Sequence, residues 1–179
     1  GSPAINSTTV FYAVFSATSG NGTSSVTDNI TLTTTGVTSG STTYTAWSGK
    51  TVSSVAVYAG QSAGGNNAIQ LRSNNSNSGI ITTGSGGTVS KITVTWNSNT
   101  TNGRTINVYG KNTAYSNASD LYNSTSQGTL RGTIVKGTST ELTVSGSYTY
   151  IGLRSNSGAL YLDNVAITWG GSGSTTTYY

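Results

Sequence analysis

The chain of 179 residues contains neither cysteine nor histidine, and only 7% of its residues are charged. Without these side chains, disulfide bonds, thiolate metal ligands, thiol nucleophiles and imidazole acid–base catalysis are excluded. Four acidic residues, four lysines and the hydroxyl groups remain as catalytic candidates. No motif arranges them as a nucleophile with its base, so we expect a protein that is not an enzyme.

The scarcity of acidic residues also weakens the case for a glycoside hydrolase. Such an enzyme needs two carboxylates about 5–10 Å apart across the scissile bond. The candidates are Asp28, Asp120, Glu141 and Asp163. They are scattered along the chain and lie in no recognisable motif, so a hydrolase is only the less favoured alternative.

Basic residues are sparse as well, although the net charge is +4 and the pI is about 9.4. The high pI reflects the lack of acids, because the eight basic residues form no cluster. Nucleic-acid affinity depends mainly on rows of Lys and Arg that neutralise phosphates. We therefore do not expect nucleic acid as a partner. Nor do we expect membrane insertion, since no apolar run approaches spanning length.

The polar composition is nevertheless that of a folded chain. The apolar fraction of 33% lies below the ~45–50% of ordinary globular proteins. Disordered segments, however, combine high net charge with few aromatics, and this chain has eleven tyrosines and three tryptophans. Thr, Val, Ile and Tyr punctuated by Gly, Asn and Ser are typical of short strands joined by turns.

A period of two in hydrophobicity supports that assignment along most of the chain. Apolar residues alternate with polar ones over 5–8 residues, and no helical period is visible. The predicted inward-facing residues include Ile30 and Leu32, Val55 and Val57, Ile69 and Leu71, Ile92 and Val94, Ile106 and Val108, and Ile151 and Leu153. The pattern predicts an all-β fold of two antiparallel sheets packed face to face, a jelly-roll β-sandwich.

The strand pattern also suggests domain borders. The β-sandwich module is predicted to cover residues 26–169, followed by a Gly/Ser/Thr-rich linker at 170–179. Residues 1–25 contain an apolar strand at 8–16 (TTVFYAVFS) and a loop. That strand is either the first of this module or a remnant of a preceding β-rich repeat. We expect a monomeric module covalently linked to neighbouring domains.

The last predicted strand carries a phase slip. Leu160 and Leu162 share one parity and Val165 and Ile167 the other, which is the signature of a β-bulge. Asp163 and Asn164 occupy the slip, and with Asp28 they could supply oxygen ligands to a structural Ca²⁺. The alternative is that Asp and Asn cap a bend through local hydrogen bonds, which is their more common use.

An internal repeat marks a second candidate site. The segment IQLRSN at 69–74 recurs as IGLRSN at 151–156, so Arg72 and Arg154 each end a strand, and Asn74 and Asn156 lie in the following turns. If the strands are close in space, these four side chains would form a polar rim suited to sugar hydroxyls or carboxylates. In the alternative, which we favour, each Arg lies along its sheet and pairs with an acid or a turn carbonyl.

Aromatic side chains form the third candidate set, because sugar rings stack on exposed Trp and Tyr. Trp47 precedes a turn and is expected to be half exposed, whereas Trp96 and Trp169 are in inward phase. The tyrosines predicted to lie outward or in loops are Tyr58, Tyr109, Tyr115 and Tyr122. Tyrosines on the face of a sandwich also serve cross-strand packing, so each has a structural alternative.

Several segments carry a resemblance to known proteins. They are residues 57–63 (VYAGQSA), 69–83 (IQLRSNNSNSGIITT), 108–115 (VYGKNTAY) and 118–122 (ASDLY). Together they resemble an accessory module of large secreted and surface proteins of gut bacteria. Residues 161–169 (YLDNVAITW) are similar to the last strand of jelly-roll carbohydrate-binding modules, several of which hold structural calcium there. Residues 6–16 resemble the terminal strand of a small β-rich repeat of bacterial surface proteins.

The resemblance implies an appended, extracellular or cell-surface module and transfers no catalytic residue. With the residues above, it leads to the hypothesis of a non-catalytic carbohydrate-binding module whose partner is a polysaccharide or glycan. A structural spacer or adhesin domain without glycan binding is the main alternative.

Overall fold

The computed structural model describes residues 24–74 and 76–170. The predicted strand at 8–16 and residues 171–179 of the predicted linker lie outside the described residues. No helix in the described part of the chain is long and apolar enough to cross a membrane.

The described residues form eleven strands in two antiparallel sheets, which confirms the predicted all-β sandwich. The five-stranded sheet has the order β1-β11-β6-β9, with β4 also paired to β11. The six-stranded sheet has the order β2-β3-β5-β10-β7-β8. The strands are β1 Val26–Ile30, β2 Thr45–Lys50, β3 Val57–Ser62, β4 Ile69–Leu71, β5 Gly79–Gly84, β6 Thr88–Trp96, β7 Thr105–Lys111, β8 Thr129–Val135, β9 Glu141–Thr143, β10 Tyr150–Ser155 and β11 Leu160–Gly170.

Most connections cross from one sheet to the other, and three short helical segments lie between strands: α1 Leu32–Thr35 and the 3-10 turns Gly65–Asn67 and Ala118–Tyr122. Leu32, predicted to lie in a strand, begins α1 instead. The Thr31 hydroxyl caps this turn by accepting from the Thr34 backbone N–H, and Gly36 ends it with φ of 74°. Local capping therefore overrides the alternating pattern after Ile30.

The core lies between the sheets and contains most of the predicted inward-facing residues. Val55 and Val57 were wrongly assigned to it: Val55 is 80% exposed, and Ala56 and Tyr58 are buried in their place. On β11, Leu160, Leu162, Val165, Ile167 and Trp169 are all buried. Leu162 is paired with Trp96 and Asn164 with Thr95, so Asp163 is the extra residue of a bulge. The predicted bulge is confirmed, and it restores the inward phase of the second half of the strand.

A second, smaller apolar cluster lies on the outer face of the six-stranded sheet. It contains Ala59, Ile81, Tyr109, Tyr115 and Leu121, because the loop at 112–128 folds back over the strands. This close approach depends on glycine in the sheet. A Cβ added at Gly152 would overlap the Leu121 side chain, and one at Gly79 would lie 2.7 Å from the same side chain.

Candidate functional site

A groove with a cavity volume of about 460 Å³ lies on the outer face of the six-stranded sheet. Its floor is formed by β2 and β3, and its wall by the loop that covers the sheet. Small apolar side chains such as Ala46 and Ala59 line the floor. The polar lining residues are Ser48, Gln61, Asn77, Ser116, Asn117 and Ser119. The groove therefore combines hydroxyls and amides with small apolar groups.

The wall of the groove is held by local hydrogen bonds. The Asp120 carboxylate accepts from the backbone N–H of Ser116 at 2.7 Å, and the Asn117 side chain caps the following 3-10 turn. Leu121 in that turn is fully buried against the sheet. Because both polar caps and apolar burial fix the segment, its backbone is a preformed edge of the groove.

Beside the groove lie five side chains that we call the arginine–tyrosine cluster: Tyr44, Arg72, Tyr109, Tyr122 and Arg154. The Arg72 guanidinium carbon is 3.9 Å from the centroid of the Tyr44 ring. The Arg154 guanidinium carbon is 4.4 Å from the Tyr122 centroid and 6.0 Å from the Tyr109 centroid. Each arginine is therefore stacked on tyrosine, in an arrangement that fixes the plane of its guanidinium group.

Tyr122 connects the two arginines. Its hydroxyl donates to the carbonyls of Ser78 at 2.8 Å and Arg72 at 3.2 Å. The Arg154 guanidinium group lies over its ring. The two halves of the sequence repeat belong to different sheets, β4 and β10, yet they meet at this loop residue. The structure thus brings Arg72 and Arg154 to one site.

Burial affects the tyrosine hydroxyls of the cluster. It raises the pKa of Tyr44 to about 12, against the lowering effect of the Arg72 charge. Burial also raises the pKa of Tyr122, and the charges of Arg154 and Arg72 act in the opposite direction. Both hydroxyls are therefore protonated at neutral pH and carry no negative charge that could neutralise the arginines.

Asn107 extends the cluster on β7. It is paired with Arg154 across the strands, is only 6% exposed, and donates to the Tyr109 hydroxyl at 3.3 Å. Its Oδ1 has no hydrogen-bond partner, and the same is true of the buried Nε atoms of Arg72 and Arg154. Buried polar atoms without partners are uncommon in native structures and mark this region as incompletely satisfied.

The predicted alternative for the arginines was pairing with an acid or a turn carbonyl. Neither pairing occurs in residues 24–74 and 76–170, where the ion pair is Lys91 with Glu141 at 3.7 Å. Asn74 and Asn156 are exposed in the turns after β4 and β10, as the sequence suggests. The polar rim therefore exists in part, with tyrosine rings as its support.

Three predicted ring platforms are buried, and their predicted exposure was wrong. Trp47 is 7% exposed, packs over Gly60 and donates from Nε1 to Ser62 Oγ at 3.1 Å. Tyr58 is fully buried in the main core, and Tyr115 is 1% exposed beneath the covering loop. In each case a hydrogen-bond acceptor inside the protein satisfies the polar end of the ring, which allows it to be buried.

The other aromatics differ in outcome. Trp169 is buried in the core as predicted. Trp96 packs against the core but is only half buried, and its Nε1 donates to the Ser139 carbonyl at 3.0 Å. Tyr122 is half-buried rather than fully outward. Tyr109, at 5% exposed, is a fourth ring whose predicted exposure was wrong.

Asp28, Asp163 and Asn164 are not brought together as one calcium site. Asp28 faces the core, opposite Ile167, and is fully buried. Asp163 is exposed and accepts from Asn97 Nδ2 at 2.8 Å, whereas Asn164 donates to Asn29 at 2.8 Å. Both hydrogen bonds join side chains distant in sequence, so in the described residues they differ from the predicted alternative of local bonds that cap a bend.

The Asp28 carboxylate is surrounded by donors instead. It accepts from the backbone N–H of Ser53 at 3.0 Å and of Ser54 at 2.7 Å, from the Tyr58 hydroxyl at 2.7 Å, from Trp169 Nε1 at 3.1 Å and from the Ser54 hydroxyl. Burial acts to raise the pKa of Asp28, but the hydrogen bonds from Ser54 and Tyr58 outweigh it, and the net pKa lies below the ordinary value. These donors leave no open position for a metal ion.

Sequence reasoning missed Tyr44, Asn107 and the lining of the groove. Tyr44 directly precedes β2, which begins at Thr45, and no local motif marks it. Asn107 had a signal in the sequence, because it is the polar residue between the inward-facing Ile106 and Val108 and therefore points to the outer face of the sheet. Its burial there results from the loop that covers this face.

The fold and the groove together define an all-β sandwich with a polar concavity on one sheet. No protein-family profile matches the chain, and comparisons with curated protein sequences and with solved structures give no significant match.

Proposed function

We propose that the chain is a non-catalytic carbohydrate-binding module of an extracellular or cell-surface multidomain protein. The observation that carries this proposal is the groove on the outer face of the six-stranded sheet, with its lining of hydroxyls and amides. Ligand sites of this kind combine a concave shape with a few well-placed polar groups.

The chemistry of the lining suits a sugar. Serine hydroxyls and the amides of Gln61, Asn77 and Asn117 offer donors and acceptors that match the hydroxyls of a saccharide. The small side chains of Ala46 and Ala59 leave room for a ring and present an apolar surface to its C–H face. Trp47 lines the groove but is only 7% exposed, and Tyr58 and Tyr115 are buried, so recognition would rest mainly on hydrogen bonds.

The placement of the carboxylates supports a non-catalytic role. Asp28 is enclosed by donors, Asp120 caps the groove wall, Asp163 accepts from Asn97 and Glu141 pairs with Lys91. Each of the four acidic residues of the chain therefore has a structural partner.

The test is a glycan array followed by affinity electrophoresis, with a variant that fills the groove. Ala46→Phe places a ring in the groove from an exposed position on β2 and removes no existing hydrogen bond. The matched control is Thr45→Phe on the adjacent exposed residue, which does not line the groove. We expect glycan binding by the natural chain and by the control, and its loss in Ala46→Phe.

Binding that survives Ala46→Phe unchanged would place the ligand elsewhere. Binding to no polysaccharide would favour the second candidate, a spacer or adhesin domain. That candidate is favoured by one observation: four of the aromatic rings that could have formed an exposed platform are buried in apolar clusters.

A further inference from the structure

The two arginines of the arginine–tyrosine cluster lack a counter-charge among the described residues. All four acidic residues of the chain lie in the described part, and none forms an ion pair with Arg72 or Arg154. Neither guanidinium group donates to a carboxylate or carbonyl of residues 24–74 and 76–170. Two half-buried positive charges therefore lie at one site with no negative group to accept their hydrogen bonds.

The geometry of the cluster orients both guanidinium groups in advance. Arg72 is stacked on Tyr44 at 3.9 Å and Arg154 on Tyr122 at 4.4 Å. Tyr122 is itself tied to two carbonyls, so its ring cannot follow a moving arginine. A preorganised guanidinium fork binds a planar carboxylate or a tetrahedral sulfate with little loss of side-chain entropy.

The cluster also adjoins the groove. Tyr44 directly precedes β2, and its carbonyl accepts from the groove residue Gln61 at 3.3 Å. Ser78, whose carbonyl accepts from Tyr122, follows the groove residue Asn77. A saccharide in the groove would therefore have the positive cluster at one end.

We infer that the arginine–tyrosine cluster binds the acidic group of a sugar, so that the glycan recognised by this module is an acidic one, bearing carboxylates or sulfate esters. The inference rests on the proposed function and specifies its substrate class. Arg72 and Arg154 provide the charge and the donors, and the tyrosine rings hold them in place.

The distribution of the other cations disfavours nucleic acid as the ligand. Lys91 pairs with Glu141, Lys111 donates to the Ser126 carbonyl at 2.9 Å, and Arg131 donates to the Ser145 carbonyl at 3.2 Å. Phosphate-backbone binding needs a row of cations, and among the described residues the lining of the groove contains none, while Arg72 and Arg154 lie beside it. A pair of this size suits one or two acidic groups.

The test compares three probes on the full chain by calorimetry: an oligogalacturonate, the same oligosaccharide with methyl-esterified carboxylates, and a sulfated galactan oligosaccharide. The first and second differ in charge alone, and the third separates sulfate from carboxylate recognition. We expect at least one of the acidic probes to bind at least tenfold more tightly than the methyl ester, with single-stranded DNA as the comparison for phosphate.

The variants are Arg72→Gln and Arg154→Gln, each expected to weaken binding of the acidic probe about tenfold. The matched control is Arg131→Gln, because this guanidinium also lies over a tyrosine, Tyr148 at 4.9 Å, but away from the groove. Arg154→Lys keeps the charge without the fork and serves where the Gln variant loses its fold, as judged by thermal unfolding. We expect it to weaken binding by a smaller factor.

If neither the oligogalacturonate nor the sulfated oligosaccharide binds more tightly than the methyl ester, this inference is overturned while the proposed glycan binding stays intact. Equal weakening by Arg131→Gln, or equally tight binding of DNA, would show a general charge effect and overturn it as well. If no saccharide binds at all, including those of the array, the proposed function fails together with the inference.

Discussion

Replacing Asp28 by asparagine should destabilise the protein strongly, although the change adds no bulk. Asp28 is fully buried and accepts five hydrogen bonds, of which those from the Ser54 hydroxyl, Tyr58 and Trp169 reach Oδ2. An asparagine that keeps its oxygen towards the backbone N–H groups of Ser53 and Ser54 turns an NH₂ group towards these three donors.

The magnitude follows from the loss of the charged acceptor. The Ser54 and Tyr58 hydroxyls can rotate and accept from the new amide, and the Trp169 Nε1–H keeps the Tyr58 hydroxyl oxygen, 2.9 Å away, as an acceptor. The cost therefore comes from the hydrogen bonds to the carboxylate, since a hydrogen bond to a charged group contributes about 1.5–3 kcal/mol and a neutral one about 1 kcal/mol. We expect Asp28→Asn to lower the free energy of unfolding by about 2–4 kcal/mol, a large part of the 5–15 kcal/mol typical of a domain.

The same variant has a signature in its pH dependence. The folded pKa of Asp28 lies below the ordinary value of 3.8, so the carboxylate binds protons less readily in the folded state. Its contribution to stability is therefore fully present above about pH 4 and is lost as the pH falls through the lower, folded pKa. The stability difference between the natural chain and Asp28→Asn should accordingly shrink below pH 4.

Urea unfolding followed by tryptophan fluorescence at neutral pH and at several acidic pH values measures both effects. The control is Asp163→Asn, since this exposed carboxylate has one hydrogen bond, from Asn97, and should change stability by less than about 0.5 kcal/mol. The reasoning would be refuted if Asp28→Asn lowered the free energy of unfolding by less than about 0.5 kcal/mol. It would also be refuted if the stability difference between the natural chain and Asp28→Asn stayed constant down to the lowest pH.

Three further predictions concern the aromatics, the covering loop and calcium. Trp47→Ala should lower the free energy of unfolding in urea by about 3–5 kcal/mol because the ring is buried. A loss of glycan binding in this variant is therefore evidence for a binding role of Trp47 only if its melting temperature is unchanged. Gly152→Ala should cost about 1–3 kcal/mol and speed proteolysis of the loop at 112–128, because the added methyl group displaces Leu121; unaltered cleavage would contradict this contact. Calcium and EDTA should leave the melting temperature unchanged, since Asp28 is enclosed by protein donors and lies apart from Asp163; a shift of several degrees would restore the calcium hypothesis.

The sequence predicted the sandwich and the bulge because both follow from the parity of side chains along a strand. It failed on β3, where Val55 and Val57 were assigned to the core and Tyr58 to the surface. In the structure, Tyr58 and Ala56 are fully buried while Val55 is 80% exposed. Hydrophobicity alone favours the valines, and the opposite phase is stable because Asp28, distant in sequence, accepts the Tyr58 hydroxyl.

The candidate site shows the same limit on a larger scale. The repeated IQLR and IGLR segments identified Arg72 and Arg154, since local sequence is enough to show an outward arginine at a strand end. That the two arginines meet depends on Tyr122, which belongs to a loop and reaches both strands only because Gly152 and Gly79 let the loop lie on the sheet. A site built in this way leaves no local signature, because its parts come from two sheets and a loop that only the tertiary fold brings together.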